Sequence, residues 1–129
     1  MILCDTNILI EFYKKNALIM AELQRIGVHR LAISVITEAE LYYGALNRAE
    51  LARIQKHLSG IVVLPLNRQI SANFIDLLAR YCLSHHLAIP DALIAATAIT
   101  HDIQLYTINL RDFRFIEELR LYQPEGSTS

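Results

Sequence analysis

Four acidic residues that lie far apart in the sequence are the best candidates for chemistry: Asp5, Glu40, Asp91 and Asp112. Each follows an apolar run or lies where a helix is predicted to begin. In an open parallel α/β sheet, ligands bind beyond the carboxyl ends of the strands, so acids from several strand ends meet in one pocket. Clustered carboxylates repel one another and are costly to desolvate, and a divalent cation relieves both effects. Hard oxygen ligands favour Mg²⁺ or Mn²⁺ over zinc.

Two glutamates in one predicted helix compete for the second position in this set. Thr37, Glu40 and Gly44 fall on one helical face, whereas Glu38 points about 200° away from Glu40. Thr37 is expected to hydrogen-bond Glu40 and hold its rotamer, as groups behind metal ligands do. Gly44 is expected to allow a close approach. The pattern therefore favours Glu40 as the residue that faces the pocket.

Each of the other acids also has a purely structural explanation. Asp5 and Asn7 are both able to cap the first helix, and a metal-binding role for Asp5 would leave Asn7 as the N-cap. Asp112 lies in a stretch of ordinary turn residues. An acid that begins a helix, such as Asp91, commonly serves the helix dipole. The helix behind Asp91 has almost no polar face and no Lys or Arg close in sequence, however, which favours a ligand there.

The elements that must position these acids alternate along the chain, which indicates an α/β fold. Strands are predicted at 1–4, 31–34, 61–64 and 105–108, with a short last one at 119–122. Helices are predicted at about 7–15, 17–26, 35–43, 48–58, 67–84 and 90–100, with Ser34 and Pro90 as start signals. We expect a single domain over residues 1–123, with a small parallel sheet of four or five strands and helices on both faces, and a flexible tail at 124–129.

The composition limits the class of protein. A hydrophobic content of 53% in 129 residues suits a sizeable core or a subunit interface, and a net charge of −1 neither favours nor excludes nucleic acid. Cys4 and Cys82 lie in apolar surroundings, which predicts buried free thiols in a reducing compartment. We see no signal peptide and no apolar run near the roughly 20 residues of a membrane span. These features predict a cytoplasmic protein without a membrane partner.

Several aromatic side chains are assigned to structure and not to chemistry. Phe113 and Phe115 are expected to anchor their loop in the core. Tyr42 and Tyr43 are expected to pack in the core, and the His85-His86 pair to form a solvated helix end. We find no Cys/His cluster with zinc spacing, no Gly-rich phosphate loop and no Ser/His/Asp nucleophile setting.

Together, the acidic motifs resemble those of the PIN-domain ribonucleases, specifically the VapC-type toxins of bacterial and archaeal toxin–antitoxin pairs. The motifs are Asp5-Thr6-Asn7 after a strand, Thr37-x-x-Glu40-Leu41-x-x-Gly44, Asp91-Ala92-x-Ile94-Ala95-Ala96 and Thr107-x-Asn109-x-x-Asp112-Phe113. All four occur in the order found in that family, and they extend over most of the chain.

The resemblance implies an endoribonuclease that depends on Mg²⁺ or Mn²⁺. It implies that Asp5, Glu40 and Asp91 are the principal metal-binding and catalytic acids and that Asp112 is a less uniform fourth. It also implies a homodimer and a cognate VapB-like antitoxin that sends a segment toward the acidic pocket. Accessory polar positions are Thr6, Thr107 and Asn109, beside Asn7 and Thr37; candidates for RNA contact are Lys14, Lys15, Arg111 and Arg114.

Two other functions remain open on this sequence. One is a PIN nuclease that acts in RNA processing or quality control, and the other is a PIN-like module that binds RNA or a protein without cutting. Intact acids at all four positions argue against the binding module. The small size and the absence of an extra domain favour the toxin.

Overall fold

The structure is a computed structural model that describes residues 1–125. These residues form one parallel sheet with the strand order β3-β2-β1-β4. The strands are β1 (Ile2–Cys4), β2 (Leu31–Ser34), β3 (Val62–Leu64) and β4 (Gln104–Tyr106). The helices are α1 (Thr6–Tyr13), α2 (Ala17–Ile26), α3 (Val35–Tyr43), α4 (Arg48–Leu58), α5 (Arg68–Tyr81) and α6 (Ile89–His101), with 3-10 turns at Val28–Arg30 and Leu110–Asp112.

The sheet is covered on both faces, as predicted. Successive side chains of a strand point to opposite faces, so Ile2 and Cys4 enter the core that contains α1, α2 and α4, whereas Leu3 enters the core of α5 and α6. A parallel sheet buried on both sides needs apolar residues at every strand position. This requirement explains why β1 and β2 consist of uninterrupted apolar or small residues.

The pairing of β1 with β4 brings the first polar loops together. Cys4 is in register with Tyr106, and the backbone N–H of Asp5 donates to the carbonyl of Tyr106 at 2.9 Å. Asp5 and Thr107, which follow these paired residues, therefore leave the same edge of the sheet side by side. The prediction that polar residues meet at the carboxyl ends of the strands has its structural origin in this register.

Helices α5 and α6 pack against each other on the face of the sheet that Leu3 enters. Ile70 and Leu77 of α5 are buried in this core, and Phe74, Leu78 and Tyr81 pack against it. Its first turn is capped by Asn67, whose side-chain oxygen accepts from the N–H of Ile70 at 2.8 Å. Helix α6 presents small residues to the same core, and six of its residues are buried: Ala92, Ile94, Ala95, Ala96, Thr97 and Ala98.

Several predicted boundaries differ from the structure. The fourth strand ends at Tyr106, two residues early, and α5 ends at Tyr81 instead of residue 84. The predicted last strand at 119–122 is reduced to a single parallel bridge between Leu105 and Leu121, because only Leu105 exchanges backbone hydrogen bonds with that segment. The predicted tail lies for the most part outside the described residues. No helix within residues 1–125 combines the length and the apolar character needed to cross a bilayer.

Three predictions of burial can be compared with the structure. Phe113 is buried and Phe115 packs against the same core, as expected. Tyr42 is partly buried, but Tyr43 is 90% exposed, so the prediction of core packing was wrong for the second tyrosine. Cys82 is exposed because α5 ends just before it, whereas Cys4 is buried as predicted.

The two thiols are expected to react very differently. In the native protein, Ellman's reagent should titrate one thiol per chain, that of Cys82, because Cys4 is 0% exposed beneath the helices. The Cys82→Ser variant should show no reactive thiol until guanidinium unfolds it, and one afterwards. Rapid labelling of two thiols in the native wild-type protein would contradict the buried position of β1.

Candidate active site

Asp5 is the most buried of the four candidate acids. It is 2% exposed, and each of its carboxylate oxygens accepts a hydrogen bond at 2.8 Å, one from the backbone N–H of Thr6 and one from the hydroxyl of Thr107. Asp5 is also the N-cap of α1, so the prediction that Asn7 caps this helix was wrong. Asn7 is exposed in the first turn. Asp5 fills the cap position because the strand pairing leaves its backbone extended at the point where the helix begins.

Glu40 is joined to Asp5 through Thr6. The hydroxyl of Thr6 donates to Glu40 Oε1 at 2.7 Å and lies 2.9 Å from the hydroxyl of Thr37. The expected direct bond from Thr37 to Glu40 was therefore wrong, since Thr6 stands between them. Glu38 instead accepts a hydrogen bond from Tyr42 at 2.7 Å. Glu40 and not Glu38 thus joins the polar residues around Asp5, as the helical face predicted.

Gly44 ends α3 and borders open space beside Glu40. It is the C-cap of α3 with a negative φ, and an added Cβ would lie 3.4 Å from the carbonyl oxygen of Glu40, an ordinary contact. Gly44 also lines a cavity together with Glu40, so the close approach expected at this position stays a prediction.

Asp91 is half-buried in the first turn of α6. The N-cap of this helix, Ala88, makes no side-chain hydrogen bond, and Pro90 occupies a first-turn position where its missing N–H is harmless. Burial, followed by the charges of Asp5, Asp112 and Glu40, raises the pKa of Asp91 to about 6. The carboxylate is thus held in a place that disfavours its charge.

The four acids form one electrostatic group. Burial raises the pKa of Asp5, the bonds from Thr107 and Thr6 oppose this rise, and the charges of Glu40 and Asp112 add to it. Asp112 is exposed on the turn after β4, yet its charge acts on both Asp5 and Asp91. Within residues 1–125, no ion pair with Lys or Arg includes any of the four. Among the described residues, the negative charge of this group is therefore not neutralised by an ion pair.

The donor chemistry fits a hard divalent cation. The acidic groups that meet here are carboxylates, which are hard oxygen ligands. Burial, followed by the charge of Asp5, raises the pKa of the neighbouring Cys4 thiol to about 12, so this thiol stays protonated and does not act as a thiolate ligand. Among the described residues, no three His, Cys, Asp or Glu side chains are spaced as a finished metal site. A bound divalent cation would offset the mutual repulsion of these carboxylates.

Within residues 1–125, most of the predicted accessory residues form hydrogen bonds around the acids, and Asn7 does not. Thr107 is buried, and its hydroxyl accepts from the backbone N–H of Asn109 at 3.0 Å while donating to Asp5. Asn109 thus contributes through its backbone. Thr6 and Thr37 contact each other and reach Glu40 as described above, whereas Asn7 faces solvent.

Among the predicted basic residues, Lys14 lines a cavity together with one of the four candidate acids. All four of these residues are exposed: Lys14, Lys15, Arg111 and Arg114. Lys14 lines a cavity of about 480 Å³ together with Glu40 and Arg53, between α1, α3 and α4. Arg53 was missed by the sequence analysis, because nothing near it in sequence distinguishes it from the other charged residues of a surface helix. It takes part in no ion pair within residues 1–125.

Known proteins are similar to this chain in sequence, and solved structures are similar to it in fold. Ribonuclease VapC10 of Mycobacterium tuberculosis is 38% identical over 91 residues, which are 70% of this chain and 68% of that protein. Ribonuclease VapC2 of Haemophilus influenzae is 32% identical over 122 residues, covering 90% of this chain and 92% of the relative.

Solved structures extend the comparison. A toxin–antitoxin complex from Klebsiella pneumoniae contains a chain that is 31% identical with a TM-score of 0.80, over 92% of this chain and 95% of that one. A chain of the DNA-bound VapBC from Salmonella typhimurium gives a TM-score of 0.82 at 27% identity, over 94% and 96%. The profile of the PIN domain matches residues 2–117, nearly the whole described chain. The chain therefore belongs to the PIN domain family.

Proposed function

We propose that this protein is a divalent-metal-dependent endoribonuclease and the VapC-like toxin of a type II toxin–antitoxin pair. The observation that carries the proposal is a group of four carboxylates at the carboxyl edge of a PIN domain, none of them in an ion pair within residues 1–125. Relatives aligned over most of this chain are named ribonucleases, and structures with the same fold are toxin–antitoxin complexes. PIN-domain ribonucleases depend on metal ions in general.

Asp5, Glu40 and Asp91 are proposed to hold Mg²⁺ or Mn²⁺, with Asp112 binding a second ion or acting through a water molecule. When bound, an ion of this kind would neutralise charge on the phosphate oxygens. It would also lower the pKa of a water molecule, so that a nucleophile is available near neutral pH. Asp5 is oriented by two hydrogen bonds and Glu40 by one from Thr6. These bonds would keep the two carboxylates in position to hold the ion, against the repulsion between them.

The first turn of α6 is proposed to help bind the scissile phosphate. Its leading backbone N–H groups have no acceptor within the helix, and a helix N-terminus attracts anions. Asp91 in the same turn would be neutralised by the ion, so that the positive end of the helix is available to the substrate. The RNA is proposed to extend from there past Glu40 into the cavity lined by Lys14 and Arg53, with Lys15, Arg111 and Arg114 as outer contacts.

The proposed partners are RNA, a VapB-like antitoxin and a second copy of the chain. The antitoxin is supported by the toxin–antitoxin complexes that share this fold. The homodimer is supported by apolar side chains that remain exposed in the monomer, which include Leu46, Ile75, Leu83 and Ile89. We further propose a cytoplasmic location and a nuclease domain that ends at residue 123; two free cysteines suit a reducing compartment.

Removing the charge of a single central acid should abolish cleavage, and at Asp91 it should do so without weakening the fold. Asp5→Asn and Asp91→Asn are each expected to lower RNA cleavage by about 10³-fold, the scale of a lost preorganised electrostatic contact. Since burial and neighbouring acids raise the pKa of Asp91 to about 6, its ionised form destabilises the metal-free fold above that pH. The melting temperature of Asp91→Asn at pH 8 should therefore equal or exceed that of the wild type.

Asp76→Asn is the matched control, because Asp76 is an exposed acid on α5. It should cleave RNA at the wild-type rate. In cells, the wild type should arrest growth and Asp5→Asn should not, and a co-expressed antitoxin should relieve the arrest. Wild-type cleavage by either asparagine variant would refute the assignment. Cleavage without growth arrest would instead favour a PIN nuclease of RNA processing.

Metal removal separates the enzyme from a binding module. EDTA should stop cleavage, and Mg²⁺ or Mn²⁺ should restore it, because only oxygen ligands surround the site. A ligand that binds the folded state raises its stability, so Mn²⁺ should also raise the melting temperature of the wild type and not that of Asp5→Asn. RNA binding without any cleavage, unaffected by EDTA, would instead support the non-cleaving module.

Arg53 should contribute to substrate binding more than to the chemical step. Arg53→Gln is expected to raise KM for RNA several-fold with little change in kcat, and to reduce the salt slope of binding by about 1, the loss of one phosphate contact. Arg48→Gln provides the control, because Arg48 lies on the same helix outside the cavity. A KM for Arg53→Gln equal to that of Arg48→Gln and of the wild type would contradict the contact between Arg53 and the RNA.

A further inference from the structure

Three hydroxyl groups form a line that ends at Glu40. Ser34 Oγ lies 3.4 Å from Thr37 Oγ1, Thr37 Oγ1 lies 2.9 Å from Thr6 Oγ1, and Thr6 Oγ1 lies 2.7 Å from Glu40 Oε1. Ser34 and Thr37 are 0% exposed and Thr6 is 7% exposed. The line therefore runs from the interior, at the junction of β2 and α3, to the acidic edge of the sheet.

The direction of every proton in this line follows from simple counting. A hydroxyl has one proton, and the hydroxyl of Thr6 donates its proton to Glu40 Oε1. Thr6 must then accept from Thr37, and Thr37 in turn accepts from Ser34. The backbone N–H of Thr37 donates to Ser34 Oγ at 3.2 Å, which fixes the inner end. All three hydroxyl dipoles consequently point toward Glu40.

Glu40 needs such support because it shares the acidic edge with Asp5 and Asp91, whose pKa values its charge raises. Carboxylates of like charge repel one another. No described ion pair within residues 1–125 holds Glu40 in place. The side chain also borders the open cavity between α1, α3 and α4, so it has free space in which to turn away. The described bond that opposes this rotation comes from Thr6.

We propose that Thr37 and Ser34 are positioning residues that act on Glu40 through Thr6. Thr37 sets the rotamer and the proton direction of Thr6, and Ser34 does the same for Thr37. Aligned hydroxyls polarise one another, which strengthens the last bond to the carboxylate. The inference rests on the proposed function, because it assumes that Glu40 is a ligand of the metal ion.

The test compares variants that differ by one hydroxyl. Thr37→Val removes the group while keeping the shape, and Thr37→Ser restores it. Thr97→Val is the matched control, since Thr97 is also 0% exposed but donates to the carbonyl of Leu93 in its own helix, at 2.8 Å. Glu40→Gln serves as the reference for loss of the ligand itself. The readout is the affinity for Mn²⁺ in RNA-free protein, measured from the electron paramagnetic resonance signal of free Mn²⁺, with the metal-free melting temperature recorded in parallel.

Thr37→Val should weaken Mn²⁺ binding by about tenfold, the scale seen when a group behind a metal ligand is lost. Thr37→Ser and Thr97→Val should bind Mn²⁺ as the wild type does. Ser34→Ala should weaken binding by a smaller factor, because the bond that Ser34 donates is long. A purely structural role would lower the melting temperature of Thr37→Val and Thr97→Val alike and leave both affinities unchanged.

The outcomes separate this inference from the proposed function. Wild-type Mn²⁺ affinity in Thr37→Val, with affinity lost in Glu40→Gln, would overturn the inference alone. Wild-type affinity in Glu40→Gln would overturn the metal assignment on which it rests. Unchanged affinity in Ser34→Ala would remove Ser34 from the set of positioning residues.

Discussion

The register between β1 and β4 is the constraint on which the acidic edge depends. Because Cys4 pairs with Tyr106, the next residue of each strand emerges at the same place, and the hydroxyl of Thr107 meets the carboxylate of Asp5. A buried carboxylate is tolerated when its oxygens are bonded, and here the second bond comes from a residue 102 positions away. A slip of one residue would turn Thr107 to the opposite side of the sheet and leave Asp5 with the bond from Thr6 alone.

Much of the fold could be predicted because its signals are local. The second strand and the helices at 17–26 and 48–58 have the predicted bounds, since Asn16 and Asn47 cap the two helices and Gly27 ends the first. A cap or a terminating glycine acts within one turn of the chain and is therefore visible in sequence. The alternation of these elements was then enough to indicate a parallel sheet with helices on both faces.

The errors concern residues whose role is decided by distant partners. Asp5 and Asn7 are equally good caps when only their neighbours are considered, and the choice between them depends on the pairing with β4. Thr37 lies on the predicted face, but Thr6, from a different helix, occupies the place next to Glu40. Arg53 carries no local signal at all, because its position in the cavity that Glu40 also lines results from the packing of α4 against α3.

The alanine surface of α6 also limits how the acids respond to an ion. Ala92, Ala95, Ala96 and Ala98 are all 0% exposed, so this helix is packed closely against its neighbours. Its first turn, which carries Asp91, continues into this packed segment and is expected to move little. Asp112 lies on a short solvent-facing turn and is the acid expected to move most easily. If the proposed ion binds, the cluster should therefore contract asymmetrically, with the carboxylate of Asp112 moving farthest and α6 staying in place.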